Sequence, residues 1–235
     1  MDNYFKLPRL YSTQPLSEKA DVSLSDSQAH YLKNVMRRKE GNQIRLFDGQ
    51  NGEWLGKITN ISKKLMTVAL EKQIKEQPAD HQHIRFVFSP IKKNRMDWMI
   101  EKMVELGVTE FQPILFQNTE VRKINAERMT AQIFEAAEQC ERLTIPALWE
   151  IQKLDKFLSV DKFEGIKLAC LERFEHAQDL KNIEENNISF LIGPEGGFTE
   201  EEKHLIAQDM KAINLGETIY RCETAAIKML VLLSK

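Results

Sequence analysis

The sequence predicts an α/β protein in two parts: a small β-barrel carrying one helix, then a parallel sheet covered by helices on both faces. Three observations predict it. Period-two alternation broken by Asp-Gly and Asn-Gly turns fills the first 72 residues, as hairpins require. From Ile84 onward, apolar β-prone runs alternate with stretches at helical spacing, the pattern of a parallel sheet. Finally, Ile188-Ser-Phe-Leu-Ile192 runs straight into Gly193-Pro-Glu-Gly-Gly197 and an acidic helix start. That order sets a bare loop at the carboxyl end of a strand, where open α/β sheets bind ligands.

In the first part, Gln43–Phe47, Glu53–Thr59 and Leu65–Leu70 read as strands, with turns at Asp48-Gly49 and Asn51-Gly52. Ser25 to Arg38 has helix spacing, with Leu32, Val35 and Met36 on one side. Residues 73–83 are polar and contain Pro78, so the linker is expected there, between domains 1–72 and 84–235. His81 and His83 have no carboxylate or cysteine cluster beside them, and no metal site is expected. In the second part, Ile84–Phe88 is a strand, and Met96, Met99, Ile100, Met103 and Val104 follow helix spacing up to a closing Gly107. Further strands are expected at Phe111–Leu115, Ile166–Leu171, Ile188–Ile192 and Ala212–Leu215. Helices are expected at Ala126–Arg142, around His176–Ile183, at Glu200–Met210 and at Glu223–Leu233. Thr199 and Glu202 have the spacing of a capping box.

Composition narrows the class. With 42% hydrophobic and 29% charged residues, the chain has enough apolar material for a core. No apolar run approaches the roughly 18 residues that span a bilayer, and the longest, at the C-terminus, is broken by Lys228. The opening Met-Asp-Asn-Tyr-Phe-Lys lacks the apolar stretch of a secretory leader. Three cysteines without paired spacing argue against a disulfide framework, so a reducing cytoplasm and no membrane are expected. The net charge of −2 argues against a nucleic-acid binder, but its distribution does not. Residues 1–72 carry 12 Lys and Arg against 8 Asp and Glu, net +4, and the remainder 21 against 27, net −6. Such asymmetry fits one module holding phosphates beside another doing chemistry, and equally an ordinary scatter of surface charge.

Two motifs carry a resemblance: Gly193-Pro-Glu-Gly-Gly-Phe-Thr199 with Glu202, and Asn214-Leu-Gly216 followed by Ile219, Arg221 and Glu223-Thr-Ala-Ala226. Upstream, Arg95-Met-Asp-Trp-Met-Ile-Glu-Lys102, Glu105-Leu-Gly107 and Glu135-Ala-Ala-Glu-Gln139 accompany them, with Pro8-Arg9, His30-Tyr-Leu32, Val35-Met-Arg37 and Phe47-Asp-Gly49 near the amino end. Together they resemble the RsmE family of 16S ribosomal RNA uridine-N3 methyltransferases, of the SPOUT class of S-adenosylmethionine-dependent enzymes. The resemblance implies a PUA-like RNA-binding barrel followed by a SPOUT domain whose last helix is threaded through a preceding loop as a trefoil knot. Connection rules make knots almost absent; this one is taken from the resemblance, and in the tail only Ala225-Ala226, small enough to pass through a tight loop, accords with it. Alternatives within reach of the same motifs are a SPOUT enzyme acting on a ribose 2′-OH or on transfer RNA, and an RNA-binding ribosome-assembly module without catalysis.

The resemblance places S-adenosylmethionine among three loops that follow strands. The first holds Leu171 and Glu172, the second Gly193, Pro194, Glu195, Gly196 and Gly197. The third holds Leu215, Gly216, Ile219, Tyr220, Arg221, Thr224 and Ala225. Backbone groups of glycine loops suit the adenine edge, and Leu171, Leu215 and Ile219 its faces. The implied partners are 16S ribosomal RNA or the small ribosomal subunit and a second copy of the chain. N3 of uracil is a weakly acidic imide, and an arginine aimed at its carbonyl oxygens stabilises the charge left when the proton goes. Arg221 is the candidate. Glu223 either acts beside it or fixes the loop as a helix N-terminal carboxylate. Cys222 stands where the family commonly has Thr and reads as a small buried residue, because deprotonated N3 needs no covalent help. For RNA the candidates are Arg9, Lys33, Arg37, Arg38, Lys92, Lys93 and Arg95, with His30 and Tyr31 able to stack or hydrogen-bond. Arg37-Arg38-Lys39 reads equally as a solvated turn, and Glu141, where the family tends to have Gly, leaves the local loop geometry open.

Overall fold

The computed structural model describes residues 4–62, 65–79, 82–175, 177–179 and 183–233. The chain divides into two units, one of Met1–Ala79 with Ala137–Ile145, the other of Asp80–Ala136 with Pro146–Lys235. In the first, strands β1 (Arg9–Tyr11), β2 (Asp21–Ser23), β3 (Gln43–Phe47), β4 (Glu53–Ile61) and β5 (Met66–Lys75) form one sheet in the order β1-β3-β4-β5-β2. Leu10 and Val22, from the two edge strands, enter the same core cluster as Leu46, Ile58 and Val68, as a sheet curled on itself requires. The β3–β4 hairpin is closed by Asp48, whose Oδ1 accepts the N–H groups of Gln50 at 2.9 Å and Asn51 at 2.7 Å. β5 continues to Lys75, into the segment expected as linker.

The single expected helix is shorter and of two kinds. α1 (Asp26–His30) starts from a capping box between Ser25 and Gln28, then widens into a π-helical turn over Tyr31–Val35. The Met36 N–H reaches back five residues to the Tyr31 carbonyl at 3.0 Å. This wider winding rotates later side chains off the expected face. Leu32 stays buried, whereas Val35 is 61% exposed.

The second unit is built on a sheet of β6 (His83–Phe88), β7 (Glu110–Leu115), β8 (Ala147–Leu148), β10 (Ile166–Cys170), β11 (Gln178–Asp179), β12 (Asn187–Ile192) and β13 (Lys211–Asn214), with β9 (Gln152–Lys153) paired to β7. The order is β11-β13-β10-β12-β6-β7-β8, and each described pairing is parallel. Five helices accompany it: α2 (Lys93–Glu105), α3 (Ala126–Gln139), α4 (Leu154–Val160), α5 (Glu200–Asp209) and α6 (Cys222–Leu233). Phe86, Phe88, Phe111 and Phe190 are fully buried, with Phe86 and Phe190 stacked at 4.9 Å. α6 packs on α2 and β12 through a stripe of Ala226, Met229, Leu230 and Leu233. Gly107, at φ +106°, ends α2 as a left-handed residue must.

Two differences from expectation have simple causes. The helix expected around His176–Ile183 is, in its described part, the strand β11. Gln178 and Asp179 offer no apolar stripe to bury, and pairing with β13 at the edge of the sheet satisfies their backbone; residue 176 and residues 180–182 lie outside the described set. Helix α3 stops at Gln139, before the expected Arg142, because Glu141 adopts φ +59°, outside helical geometry. For the site, the decisive feature is strand order. β10 lies between β12 and β13, so the loops leaving these three strands emerge side by side.

Candidate active site

The loop after β12 is held from both sides. A Cβ on Gly193 would lie 2.3 Å from the Phe198 ring, so no larger residue fits there without displacing that ring. Gly197 has φ +73°, a conformation that a side chain disfavours. Phe198 packs edge-on to Phe116 at 5.1 Å. The Asn118 amide donates to the carbonyls of Gly197 at 3.0 Å and Gly196 at 3.3 Å. Beyond the loop, Thr199 and Glu202 form the expected capping box of α5, worth about 1 kcal/mol. Glu202 also accepts the Gln117 N–H at 2.7 Å.

These loops enclose a cleft of about 300 Å³. Cys170, Glu172 and Arg173 line it after β10; Ile192, Gly193, Pro194, Gly197 and Phe198 after β12; Ile213 to Gly216 and Thr218 to Tyr220 after β13. Lys203, Cys222 and Ala225 complete the wall. The third loop is clamped by Lys228, whose ammonium donates to the Leu215 carbonyl at 2.7 Å and to the Tyr220 hydroxyl at 3.0 Å. That hydrogen bond also lowers the Tyr220 phenol below its ordinary pKa. Arg173, on the rim, has φ +54°, the kind of backbone strain that clusters at working sites.

Of the residues expected to hold a cofactor, Glu172, Gly193, Pro194, Gly197, Leu215, Gly216, Ile219, Tyr220 and Ala225 line this cleft together. Leu171 does not: it is fully buried in the core. Glu195 turns away to accept a hydrogen bond from Arg95, and Gly196 faces Asn118. Arg221 and Thr224 are exposed and outside the lining. Ile213, Asn214, Phe198 and Lys203 were missed, although the first two end a strand whose loop had been singled out.

Three ionisable groups gather where α6 meets the glycine loop. The Cys222 thiol donates to the Gly193 carbonyl at 3.2 Å. Burial, followed by the nearby Glu195 and Glu223 carboxylates, pushes its pKa up to about 11, so it is a thiol near neutral pH and a poor nucleophile. Glu223 is buried, and its Oε2 has no hydrogen-bond partner. Arg221 is exposed and makes no ion pair among the described residues.

The basic candidates separate sharply. Arg9 is 7% exposed, which overturns its reading as an RNA contact. Its Nε donates to Glu53 at 3.3 Å, its Nη atoms donate to the carbonyls of Ala137 and Arg142 at 2.8 Å each, and its guanidinium lies 3.6 Å from the Phe47 ring centroid. Arg45, which the sequence reading passed over, meets Glu53 at 3.0 Å and Glu141 at 2.8 Å. Arg95 is engaged by Glu195, and Lys92 by Glu120 at 3.1 Å. His30, Lys33, Arg37 and Lys93 are exposed, Tyr31 is at the surface, and Arg38 is half-buried. Among the described residues no group of three His, Cys, Asp or Glu is placed to hold a metal, and no helix is long and apolar enough to cross a membrane.

Comparison with known proteins bears on what the cleft does. The RNA methyltransferase domain family matches residues 78–234, and the RNA methyltransferase PUA domain matches residues 24–71. A ribosomal RNA small subunit methyltransferase E from Rickettsia conorii is 33% identical over 94% of this chain and 93% of its own. The chain belongs to the ribosomal RNA small subunit methyltransferase E family. A solved member of that family from Neisseria gonorrhoeae, bound to S-adenosyl methionine, superposes with a TM-score of 0.83 at 29% identity, covering 96% of this chain and 95% of that one. A Legionella pneumophila protein described as a methyltransferase, in complex with the cofactor SAM, gives 0.87 at 28% identity, covering 97% of each chain. Family membership gives the chain a PUA domain at its amino end and a SPOUT-class α/β fold with a parallel sheet.

Proposed function

We infer that this protein transfers a methyl group from S-adenosylmethionine to N3 of one uridine in 16S ribosomal RNA. It acts in the cytoplasm, as a homodimer, on the RNA or on the small ribosomal subunit. The observation that carries this reading is the cleft at the ends of β10, β12 and β13, in a chain that matches cofactor-bound relatives along nearly its whole length. Its lining suits the cofactor: Ile213, Leu215 and Ile219 offer apolar surface to adenine, and the backbone of Gly193, Gly197, Gly216 and Thr218 to Tyr220 offers polar groups to its edge. When bound, S-adenosylmethionine supplies an electrophilic methyl on a sulfonium.

The chain's own residues deal with the uracil. Arg221, exposed and without an ion-pair partner among the described residues, reaches the base and stabilises charge on O2 or O4 as the N3 proton leaves. Glu223 holds the start of α6 or takes part beside Arg221. Cys222, kept protonated by burial, contributes shape and no covalent step. Nucleoside mass spectrometry of ribosomal RNA from cells lacking the protein tests the reading. Loss of 3-methyluridine, restored by the wild type and not by Arg221→Ala, is the expected result. Loss of a ribose methyl instead would move the activity to the 2′-hydroxyl.

A further inference from the structure

Outside this cleft the first unit holds a second cavity, of about 320 Å³, between the α1–π-helical segment and the end of the β4–β5 hairpin. Its floor is apolar: Ala29 and Ile61 pack against the core, and Met66 belongs to it. Its rim carries Asp26, His30, Lys33 and Asn34. All four line the same cavity, so their side chains converge above one floor. None of them makes a side-chain hydrogen bond or ion pair among the described residues, although other polar side chains of the unit, such as Gln28, Asp48 and Glu53, are engaged. Such convergence of unused donors and acceptors over an apolar floor is the usual form of a small-ligand site.

The backbone adds an independent sign. α1 gives way to the π-helical turn at Tyr31–Val35, which is where Lys33 and Asn34 sit, and Arg37 just beyond adopts φ +51°. π-turns are rare and frequent at functional sites. Here the turn exposes Val35 (61%) and leaves Tyr31 39% exposed, although both belong to a segment with helical periodicity.

We propose that this cavity binds one unstacked nucleobase of a single-stranded stretch of the RNA substrate. The proposal rests on the reading of the protein as a ribosomal RNA methyltransferase and adds where the first unit reads its RNA. The chemistry selects a base over a phosphate. A phosphate in the cavity would meet the Asp26 carboxylate, with Lys33 as the one full cation among the described residues that line it. A base presents N–H donors to Asp26, donors and acceptors to the Asn34 amide and His30, and an apolar face to Ala29 and Ile61. Lys33, at the rim, is left for the adjoining phosphate, and exposed Leu65 covers the other side.

The test uses the full-length protein and fluorescence anisotropy with 12-nucleotide single strands of A, C, U and alternating GU, over a salt series. Wild-type protein should bind one strand about tenfold or more tighter than another. Asn34→Ala and Asp26→Asn should each erase that preference and leave the salt dependence unchanged. Lys33→Ala should reduce the salt slope by about 0.7 and keep the preference. All three positions are exposed, and thermal melts confirm that the variants fold. Equal binding of all four strands by the wild type, or a preference surviving in Asn34→Ala and Asp26→Asn, overturns the base site. Calorimetric S-adenosylmethionine binding and 3-methyluridine formation are measured on the same preparations. If these persist while base preference is absent, the cavity inference fails alone; if they are absent too, the functional reading fails with it.

Discussion

The loop after β12 and the β1–β3 strand pair both concentrate chemically conspicuous residues, and they use them in opposite ways. In the loop, the glycines are required by neighbours a few residues away: the Phe198 ring occupies the space of a Gly193 side chain, and Gly197 has a left-handed backbone. Around β1 and β3, Arg9 is required by partners far along the chain, and Arg45 joins the nearby Glu53 to Glu141, 96 residues on. Arg9 meets Glu53 and the carbonyls of Ala137 and Arg142, and Arg45 meets Glu53 and Glu141. Two guanidiniums share one fully buried carboxylate, and Glu141 supplies a second negative charge. A local motif therefore announces its role in the sequence, whereas a residue satisfied at long range looks like a surface cation until its partners are seen.

The largest effect tests the Arg9 cluster. Arg9→Ala should cost about 3–5 kcal/mol of stability, because Glu53 loses a buried partner and two carbonyls lose their donor. Chemical denaturation measures it, and S-adenosylmethionine affinity should be unchanged under folding conditions. Unchanged stability with weakened RNA binding would instead restore Arg9 as an RNA contact and remove the contrast.

Next in size is the exposed arginine of the other region. Arg221→Ala should lower turnover by about 10²–10³, roughly 3–4 kcal/mol, as expected for loss of one preorganised donor to developing charge. Calorimetric cofactor affinity should hardly move. A parallel loss of affinity would make Arg221 a cofactor ligand and not a group that acts on uracil.

Gly193→Ala sharpens the local half of the comparison. The new methyl must displace the Phe198 ring, for about 1–3 kcal/mol of overpacking strain, and the displaced ring lines the cleft, so cofactor affinity should fall with stability. Gly196→Ala should be milder, since its Cβ would lie 3.0 Å from the Asn118 Cβ, outside the cleft lining. Equal effects at the two glycines would mean that the loop responds as a whole and not through the Phe198 contact.

The legibility of the molecule follows the same division. β3 (Gln43–Phe47) was bounded correctly, and the ends of β12 and α5 were nearly so, because alternation and a capping box are local signals. Strands of two residues such as β8 and β9 carry no period, and they went unseen. Gly193, Gly197, Leu215 and Gly216, which the resemblance points to through local motifs, line the cleft together. Leu171 was assigned to the wall but belongs to the core beneath it, since one apolar residue at the end of a strand looks the same whether it faces the ligand or the sheet. The Glu195 side chain is outside the cleft lining for another reason: its partner Arg95 lies a hundred residues earlier, and no spacing rule connects them.

The smallest expected effect is at Cys222, beside Arg221 in sequence and unlike it in role. Its thiol pKa is raised to about 11 by burial and by Glu195 and Glu223, so the folded state favours the protonated form. The sign follows: this contribution to stability is complete below the ordinary thiol pKa and is lost as pH rises through about 11. At pH 8, iodoacetamide should therefore label the exposed Cys140 and spare Cys222, because the thiolate is the reacting form. Cys222→Thr keeps a small donor near the Gly193 carbonyl, and its activity should stay within about threefold of wild type, under 1 kcal/mol. A dead Cys222→Thr beside an active Arg221→Ala would reverse the assignment and make the sulfur the reactive group. Rapid alkylation of Cys222 at pH 8 would by itself show that the carboxylates do not suppress its ionisation.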